Sequence, residues 1–122
     1  MATIVVVDDA VELGVLVKTI LEEDNHDVTL FTDPTKVLER LQTAAPDLLM
    51  IDVMMPKMDG YTLCTKLLEE PRLADIPVVV LTAKSDTRDT FKSLPNVRSF
   101  LEKPYNRVVL SHMVERALQK KA

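Results

Sequence analysis

Five polar side chains stand where hydrophobic runs of the sequence end. Asp8 and Asp9 follow the run at 4–7, Asp52 and Thr82 follow the runs at 48–51 and 78–81, and Lys103 comes shortly after an apolar pair. Short runs of Val, Ile and Leu are typical of strands that are buried on both faces, and such strands usually lie parallel. Parallel strands end at one edge of an α/β sheet, where ligands bind, so we expect these side chains to share a crevice.

Three carboxylates in one crevice favour a metal ion. They repel one another, so the pKa of at least one should rise unless a cation is present. A site with oxygen ligands and few carboxylates suits Mg²⁺, with Mn²⁺ as a substitute, and Mg²⁺ commonly shares its coordination shell with phosphate oxygens. His26 and His112 are not expected to contribute, because they fall in a predicted turn and on the last predicted helix.

The same crevice has the parts for phosphoryl transfer. A carboxylate can attack phosphorus and form an acyl phosphate, and the reaction depends mainly on positioning and charge neutralisation. A metal ion near Asp52 could hold two phosphoryl oxygens, the Lys103 ammonium could neutralise a third, and the Thr82 hydroxyl could donate a hydrogen bond. The pattern therefore predicts an aspartyl phosphate site.

Each of these residues alone has a simpler interpretation. Asp8 or Asp9 could cap the first helix, the pair at 59–60 could be a turn, Thr82 a cap or turn hydroxyl, and Lys103 a surface cation. Only one member of an adjacent aspartate pair can cap a helix. The occurrence of all five residues together favours the phosphoryl pocket.

Size and composition narrow the class of protein. The 122 residues fit one domain, which we expect to span 1–122 without a linker. No apolar stretch approaches the roughly 20 residues of a membrane helix, and the start does not resemble a signal peptide, so we expect a cytoplasmic protein. Cys64 stands alone, which excludes an intramolecular disulfide, and the net charge of −4 argues against nucleic-acid binding.

Apolar runs alternate with segments of helical period along the whole chain, which predicts a (βα)5 order. Right-handed crossovers then give a doubly wound α/β sheet with helices on both faces, of flavodoxin-like strand order 2-1-3-4-5. We expect a cap followed by proline at 33–34, a short fourth helix from about 86 to 93, and a fifth strand around 97–101. The predicted buried stripes of the first and last helices are Leu13, Leu16, Val17, Ile20 and Leu21, and Val109, Leu110, Met113, Val114, Ala117 and Leu118.

Four motifs resemble those of the receiver domain of two-component response regulators, the family of the chemotaxis response regulator. They are Val-Val-Val-Asp-Asp at 5–9, Asp-Val-Met-Met-Pro-Lys-Met-Asp-Gly at 52–60, Leu-Thr-Ala at 81–83 and Lys-Pro at 103–104. The resemblance covers essentially the whole chain. It implies a signalling domain in which Asp52 accepts a phosphoryl group from the phosphohistidine of a sensor histidine kinase or a phosphotransfer protein.

The resemblance also implies roles for individual residues. Asp9, Asp52 and the backbone carbonyl of Met54 would ligate Mg²⁺, while Asp8 would act mostly through a bound water. Catalysis would extend only to the domain's own phosphoryl transfer and autodephosphorylation, in which Thr82 and Lys103 take part.

For the switch, the resemblance implies that Thr82 moves toward the phosphoryl group and that the ring of Phe100 turns inward behind it. Pro104 would be a cis proline that aims Lys103 into the site. A protein partner or an effector domain would bind the surface of the fourth helix, fifth strand and fifth helix; direct contact with nucleic acid or membrane is not expected.

The stretch before the fifth strand departs from the family pattern. Asn96-Val97 replaces the usual Gly-Ala pair, and we expect Asn96 to supply the left-handed backbone conformation of the glycine. Leu94-Pro95 should end the fourth helix early. Ser99 stands where many DNA-binding relatives have an aspartate used in dimer pairing, so symmetric dimerisation through this surface is not expected.

Three other functions are alternatives to a phosphoacceptor domain. Flavin binding lacks support, because the chain has only Gly14 and Gly60, no phosphate-binding glycine loop and no tryptophan. A Mg-dependent phosphatase with an aspartyl nucleophile requires a second aspartate at the position of Met54, and such enzymes usually have a cap domain. The third alternative is a receiver-like interaction module that is not phosphorylated.

Overall fold

The computed structural model describes residues 2–55, 58–82, 88–103 and 106–119, apart from the side chain of Arg88. Five strands lie in these ranges, namely β1 (Thr3–Val7), β2 (Asp27–Phe31), β3 (Leu48–Asp52), β4 (Val78–Thr82) and β5 (Val97–Glu102). The α-helices described are α1 (Val11–Glu23), α2 (Val37–Leu41), α3 (Gly60–Leu68), α4 (Arg88–Phe91) and α5 (Arg107–Gln119). A 3₁₀ turn, Pro34–Lys36, precedes α2.

The strands form one parallel sheet in the order β2-β1-β3-β4-β5. Every residue of β3 and of β4 is buried, as their uninterrupted apolar sequences indicated. The predicted flavodoxin-like order and parallel pairing are therefore confirmed.

Hydrophobic cores lie on both faces of the sheet. One is built with α2, α3 and α4 and contains Leu41, Leu63 and Phe91, and the other is built with α1 and α5 and contains Leu21 and Leu110. Successive strand residues point to opposite faces, so residues such as Val5 and Val6 of β1 enter different cores. This burial on both faces holds the strand ends in register.

The buried faces of α1 and α5 are narrower than the apolar pattern of the sequence predicted. Leu16 of α1 and Val109 of α5, both expected in the core, are 44% and 47% exposed. Helix α5 buries only Leu110, Val114 and Ala117, which lie four and three residues apart along one line of the helix. Val109 lies about 100° away from that line and faces outward, which the apolar pattern alone did not reveal.

The turns confirm some expectations and correct one. Asp33 caps the turn at Pro34, and its side chain accepts a hydrogen bond from the Thr35 backbone N–H at 3.0 Å, as predicted. The expectation for Asn96 was wrong: among the described residues only Asn25 has a positive φ, of 69°. Asn96 is instead buried, and its side-chain N–H donates to the Cys64 carbonyl of α3 at 3.2 Å. Its polar side chain ties the turn to α3, which explains an asparagine here without a left-handed backbone.

The fourth helix ends early. It ends at Phe91, two residues before the predicted end, and a turn leads to Pro95, which cannot continue a helix. The predicted start at Asp86 lies outside the described residues. In β5, Val97 pairs with Val78 but Ser99 pairs with Val79, so the chain bulges at this point.

His26 is not simply a turn residue. It is buried beside the amino ends of β1 and β2, where its Nδ1 accepts the Ala2 backbone N–H at 3.1 Å. Its Nε2 lies 3.2 Å from the Glu115 carboxylate of α5. Because a backbone N–H can only donate, Nδ1 carries no proton and Nε2–H donates to Glu115. His26 therefore ties α5 to the sheet.

No described helix is long and apolar enough to cross a membrane.

Candidate functional site

The carboxyl ends of the strands bring the five predicted polar residues together at one edge of the sheet. Asp52 and Thr82 are the last residues of β3 and β4, Asp8 directly follows β1, and Lys103 directly follows β5. Asp8, Asp52 and Thr82 are buried, and Asp9 is half-buried. The parallel topology thus places these residues at one edge of the sheet.

Three carboxylates form the floor of this crevice. One oxygen from each of Asp8, Asp9 and Asp52 lies within 4.8 Å of the others. Within the described ranges, this is the one group of three metal-ligating side chains at such distances, and His26 and His112 are not part of it. The predicted acidic cluster is present.

Lys103 supplies the cation of the site. Its Nζ lies 3.3 Å from Asp52 Oδ1 and 3.8 Å from Asp8 Oδ2. Its backbone N–H donates to the carbonyl of Thr82 at 2.8 Å, so the segment after β5 is fastened to the end of β4. One ammonium group therefore faces two buried carboxylates.

The electrostatics of Asp52 follow from this arrangement. Burial, and after it the charge of Asp8, raise the pKa of Asp52, which stands at about 6 instead of 3.8. Lys103 lowers the pKa of Asp52 through its charge and its hydrogen bond, but it does not offset the other two effects. The expected rise of one carboxyl pKa in the absence of a metal ion is confirmed.

Asp8 has an unsatisfied oxygen that suits a cation. Its Oδ1 accepts the Ala10 backbone N–H at 2.9 Å, but its buried Oδ2 has no hydrogen-bond donor in the described part of the chain. Such an oxygen is costly unless a positive charge faces it. The Lys103 ammonium at 3.8 Å meets this need only in part. The donor set therefore fits a divalent metal ion that prefers oxygen.

Neither Asp8 nor Asp9 caps the first helix. Helix α1 begins at Val11, and its N-cap residue is Ala10, which makes no side-chain cap bond. The carboxylate of Asp8 instead closes a turn with Ala10 and faces the crevice. The simpler interpretation of this aspartate pair was wrong.

Gly60 is a site residue that the sequence reasoning treated only as part of a turn. A Cβ atom at this position would lie 2.5 Å from the Asp52 carbonyl oxygen and 3.1 Å from the Val53 Cα. Its N–H donates to the Val53 carbonyl at 3.0 Å, while Asp59 caps α3 by accepting the Thr62 N–H at 2.8 Å. The first residue of α3 thus packs directly against the end of β3. A glycine right after a capping aspartate was the signal for this close approach.

Thr82 and Phe100 lie on neighbouring strands. In the register of β4 and β5, Val80 is opposite Phe100 and Thr82 is opposite Glu102. The half-buried ring of Phe100 contacts the ring of Phe91 edge-on, with centroids 6.2 Å apart. The sequence reasoning singled out Phe100 but not its aromatic neighbour.

Two other predicted roles stay predictions. The side chain of Met54 is exposed. The role of its backbone carbonyl as a metal ligand stays a prediction. Pro104, the candidate cis proline, lies outside the described residues.

Fold and site together define a doubly wound α/β domain with an acidic, lysine-containing crevice at a topological switch point. A family model described as the response regulator receiver domain matches residues 4–115. The chain therefore belongs to the receiver domain family of two-component response regulators. Receiver domains of this family are generally signalling domains that work with histidine kinases.

The relatives include transcriptional regulators and receiver domains of kinases. The chain is 36% identical over 107 residues to the DNA-binding dual master transcriptional regulator RpaA of Synechocystis. The matched region is 87% of this chain and 44% of RpaA. The solved signal receiver domain of a signal transduction histidine kinase from Syntrophus aciditrophicus is 37% identical, with a TM-score of 0.87 over 100% of this chain and 95% of that one. The chain spans less than half the length of the curated relatives it matches.

A second similar structure was solved with a metal ion. The receiver domain of the sensor histidine kinase PA1611 from Pseudomonas aeruginosa has a magnesium ion coordinated in its active site cleft. The match covers 98% of both chains with a TM-score of 0.88. Because the two sequences are only 21% identical, this likeness shows the shared fold alone.

Proposed function

We propose that this chain is a phosphoacceptor switch in which Asp52 receives a phosphoryl group in a Mg²⁺-dependent reaction. The donor is the phosphohistidine of a sensor histidine kinase or of a histidine phosphotransfer protein. The observation that carries the proposal is the convergence of Asp8, Asp9 and Asp52 with the ammonium group of Lys103 at the carboxyl edge of the sheet. The functional unit is a single receiver domain over residues 1–122.

The residues present would hold the metal ion. Asp9 and Asp52 offer carboxylate oxygens, Met54 offers its backbone carbonyl, and Asp8 acts mostly through a bound water. The buried Asp8 Oδ2, which has no hydrogen bond within the described residues, supports a cation here. When bound, Mg²⁺ supplies positive charge that offsets the carboxylates and the phosphoryl oxygens, and Mn²⁺ has the same preference for oxygen ligands.

In the transfer step, a carboxylate oxygen of Asp52 forms a bond to phosphorus while the bond between phosphorus and the donor's imidazole nitrogen breaks. The electron pair of that bond leaves with the imidazole. Lys103 already lies 3.3 Å from Asp52 and can hold a phosphoryl oxygen after small movements of its side chain. Thr82, buried at the end of the next strand, can donate its hydroxyl hydrogen to another. Autodephosphorylation by water would reverse the modification.

Phosphorylation would bias an equilibrium between two conformations. Thr82 moves toward the phosphoryl group, the ring of Phe100 turns inward, and the surface of α4, β5 and α5 changes. Val108 and Val109 at the start of α5 are 74% and 47% exposed, so this surface offers apolar side chains to a protein partner or an effector domain. Contact of the domain itself with nucleic acid or membrane is not part of the proposal.

The alternatives make different predictions for the same site. An interaction module that is not phosphorylated would keep the fold without forming an adduct. A phosphatase would need a general acid two residues after Asp52, but Met54 stands there and its side chain is 78% exposed. The arrangement of carboxylates and ammonium favours the phosphoacceptor.

Incubation with Mg²⁺ and acetyl phosphate, followed by mass spectrometry of the intact protein, tests the proposal. We expect one phosphoryl adduct that is lost in Asp52→Asn and on removal of Mg²⁺ with EDTA. Asp33→Asn is the matched control, because this half-buried aspartate caps the turn at Pro34 and is not one of the three carboxylates that lie within 4.8 Å of one another. Absence of an adduct in the wild-type protein, or its persistence in Asp52→Asn, would refute the proposed function.

A further inference from the structure

Three aromatic rings from three different elements are in contact beside the site. The ring of Phe91 on α4 lies 5.5 Å, centroid to centroid, from that of Tyr61 on α3 and 6.2 Å from that of Phe100 on β5. The interplanar angles are 62° and 72°, so both contacts are edge-on. Phe91 is 2% exposed, while Tyr61 and Phe100 are half-buried. We call Tyr61, Phe91 and Phe100 the aromatic row.

One end of the aromatic row is joined to the phosphoacceptor. Tyr61 directly follows Gly60, whose missing side chain lets α3 approach the Asp52 carbonyl. The Gly60 N–H also donates to the carbonyl of Val53 at 3.0 Å. The backbone of residues 52–53 cannot shift toward α3 without displacing the first turn of the helix, which carries Tyr61.

The other end lies on the strand next to Thr82. Phe100 pairs with Val80 of β4, two residues before Thr82, and β5 continues to Lys103 at the crevice. The middle ring belongs to α4, whose four described residues end at Phe91. Phe91 is anchored in the core that also contains Leu63 and Leu67 of α3. The aromatic row therefore joins α3, which packs against the end of β3, to α4 and β5.

We propose that Phe91 is a positioning residue that couples the ring of Phe100 to Tyr61, so that the phosphorylation state of Asp52 reaches α4 and β5 through the aromatic row. This inference rests on the proposed function. Phe91 holds the half-buried ring of Phe100 in an edge-on contact, and an inward turn of the Phe100 ring would have to change this contact. An edge-on aromatic contact changes an equilibrium by roughly two- to tenfold. Removing the Phe91 ring should therefore change the balance between the two conformations of the switch by such a factor.

Tyrosine fluorescence can report on the row directly. The chain has two tyrosines and no tryptophan, so Tyr105→Phe leaves Tyr61 as the one strong fluorophore. In this background, we expect Mg²⁺ and acetyl phosphate to change the emission of Tyr61 as the adduct forms. Phe91→Leu should reduce that change and shift the acetyl phosphate concentration for half-maximal phosphorylation by roughly two- to tenfold.

Control variants separate coupling from loss of stability. Val114→Ala removes buried apolar volume from the other face of the sheet and should leave both readouts unchanged. Phe100→Leu, at a half-buried position, serves if Phe91→Leu does not fold. In the double variant, the effects of Phe91→Leu and Phe100→Leu should not add, because each removes the same ring contact.

The outcomes distinguish the inference from the function on which it rests. If the adduct forms but Tyr61 emission is constant, or if Phe91→Leu and Phe100→Leu leave both readouts as in the parent, the coupling does not exist and the phosphoacceptor function stands. If no adduct forms in the parent protein, the proposed function fails and the inference fails with it. An adduct with an emission change that depends on both phenylalanines supports both.

Discussion

The carboxyl group of Asp52 is held beside a second buried carboxylate, Asp8, with the ammonium of Lys103 facing both. Burial and the charge of Asp8 favour the protonated form, so the pKa of Asp52 rises to about 6. Such an arrangement is unfavourable without a ligand and becomes favourable when a cation binds. The residues of the site thus lower the stability of the metal-free fold.

Replacing Asp52 with Asn should stabilise the metal-free protein in a pH-dependent way. The pKa is 3.8 in the unfolded chain and about 6 in the folded one, so the carboxyl is neutral in both states well below pH 4 and costs nothing there. As the pH rises from about 4 to about 6, the carboxyl ionises in the unfolded chain before it does in the folded one, so the wild-type protein loses stability over this range. Above about pH 6 the loss is constant, and Asp52→Asn should be more stable than wild type by about 2–3 kcal/mol. Urea unfolding in EDTA across this range measures the difference, with Asp33→Asn as control. A difference that is equal at pH 4 and pH 7 would contradict the prediction.

Replacing Lys103 with Gln should slow phosphorylation by at least about tenfold, because the site loses the group that neutralises a phosphoryl oxygen. The rate of adduct formation with acetyl phosphate measures the effect. Lys92→Gln is the matched control, since the Lys92 side chain is 80% exposed and its ion pair with Asp89, at 3.7 Å, lies on the surface. Equal rates for Lys103→Gln and Lys92→Gln would remove Lys103 from the chemistry.

At the scale of elements, the junction between β3 and α3 decides the geometry around Asp52. Asp59 caps α3 and fixes where the helix begins, and Gly60 lets that first turn lie against the carbonyl of Asp52. The contact is between backbone atoms, which cannot give way as a flexible side chain does. Phe91 at the end of α4 and Phe100 of β5, which follows the bulge in that strand, pack together on the same face of the sheet.

Gly60→Ala should destabilise the protein by about 1–3 kcal/mol and reduce adduct formation, because the new Cβ would lie 2.5 Å from the Asp52 carbonyl oxygen. Gly14→Ala is the matched control in α1. Its Cβ would meet the end of the Leu30 side chain at 2.6 Å, which can rotate away, and alanine gains about 1 kcal/mol of helix propensity. Urea unfolding of both variants measures the effect, and a Gly60→Ala protein as stable and as readily phosphorylated as Gly14→Ala would refute the close-contact argument.

For the whole molecule, the site is assembled from distant parts of the sequence. The carboxylates follow β1 and end β3, which are hydrogen-bonded neighbours in the sheet, and Lys103 follows β5 at its edge. At the amino ends of the strands, away from the site, His26 joins the start of β1 to α5. A ligand held by the carboxylates therefore resists separation of the central strands.

Binding of Mg²⁺ should consequently raise the free energy of unfolding of the whole domain. At ten times the dissociation constant, the expected gain is about 1.4 kcal/mol. Asp9→Asn should lose most of this gain, whereas Asp89→Asn, at an 87% exposed side chain on α4, should keep it. Urea unfolding with and without Mg²⁺ measures the effect, and a gain that is equal in Asp9→Asn and wild type would place the metal elsewhere.

Much of the fold and of the site could be read from local patterns. Buried parallel strands leave continuous apolar runs, and the side chains at their ends must converge once the strands are parallel, so Asp8, Asp9, Asp52, Thr82 and Lys103 were predictable. Asp33 before a proline likewise indicated its cap, because that bond is local. These features depend on residues close to one another along the chain.

The tertiary structure decided what depends on contacts between distant segments. The sequence could not show that Gly60 meets the Asp52 carbonyl, that Phe91 joins Tyr61 to Phe100, or that Asn96 bonds to α3 instead of adopting a left-handed turn. It also misplaced Leu16 and Val109, because the exposed side of an apolar helix depends on which neighbours cover it. The sequence by itself determined which groups meet at the sheet edge, and the packing of α3, α4 and β5 decided how that edge is connected to the rest of the molecule.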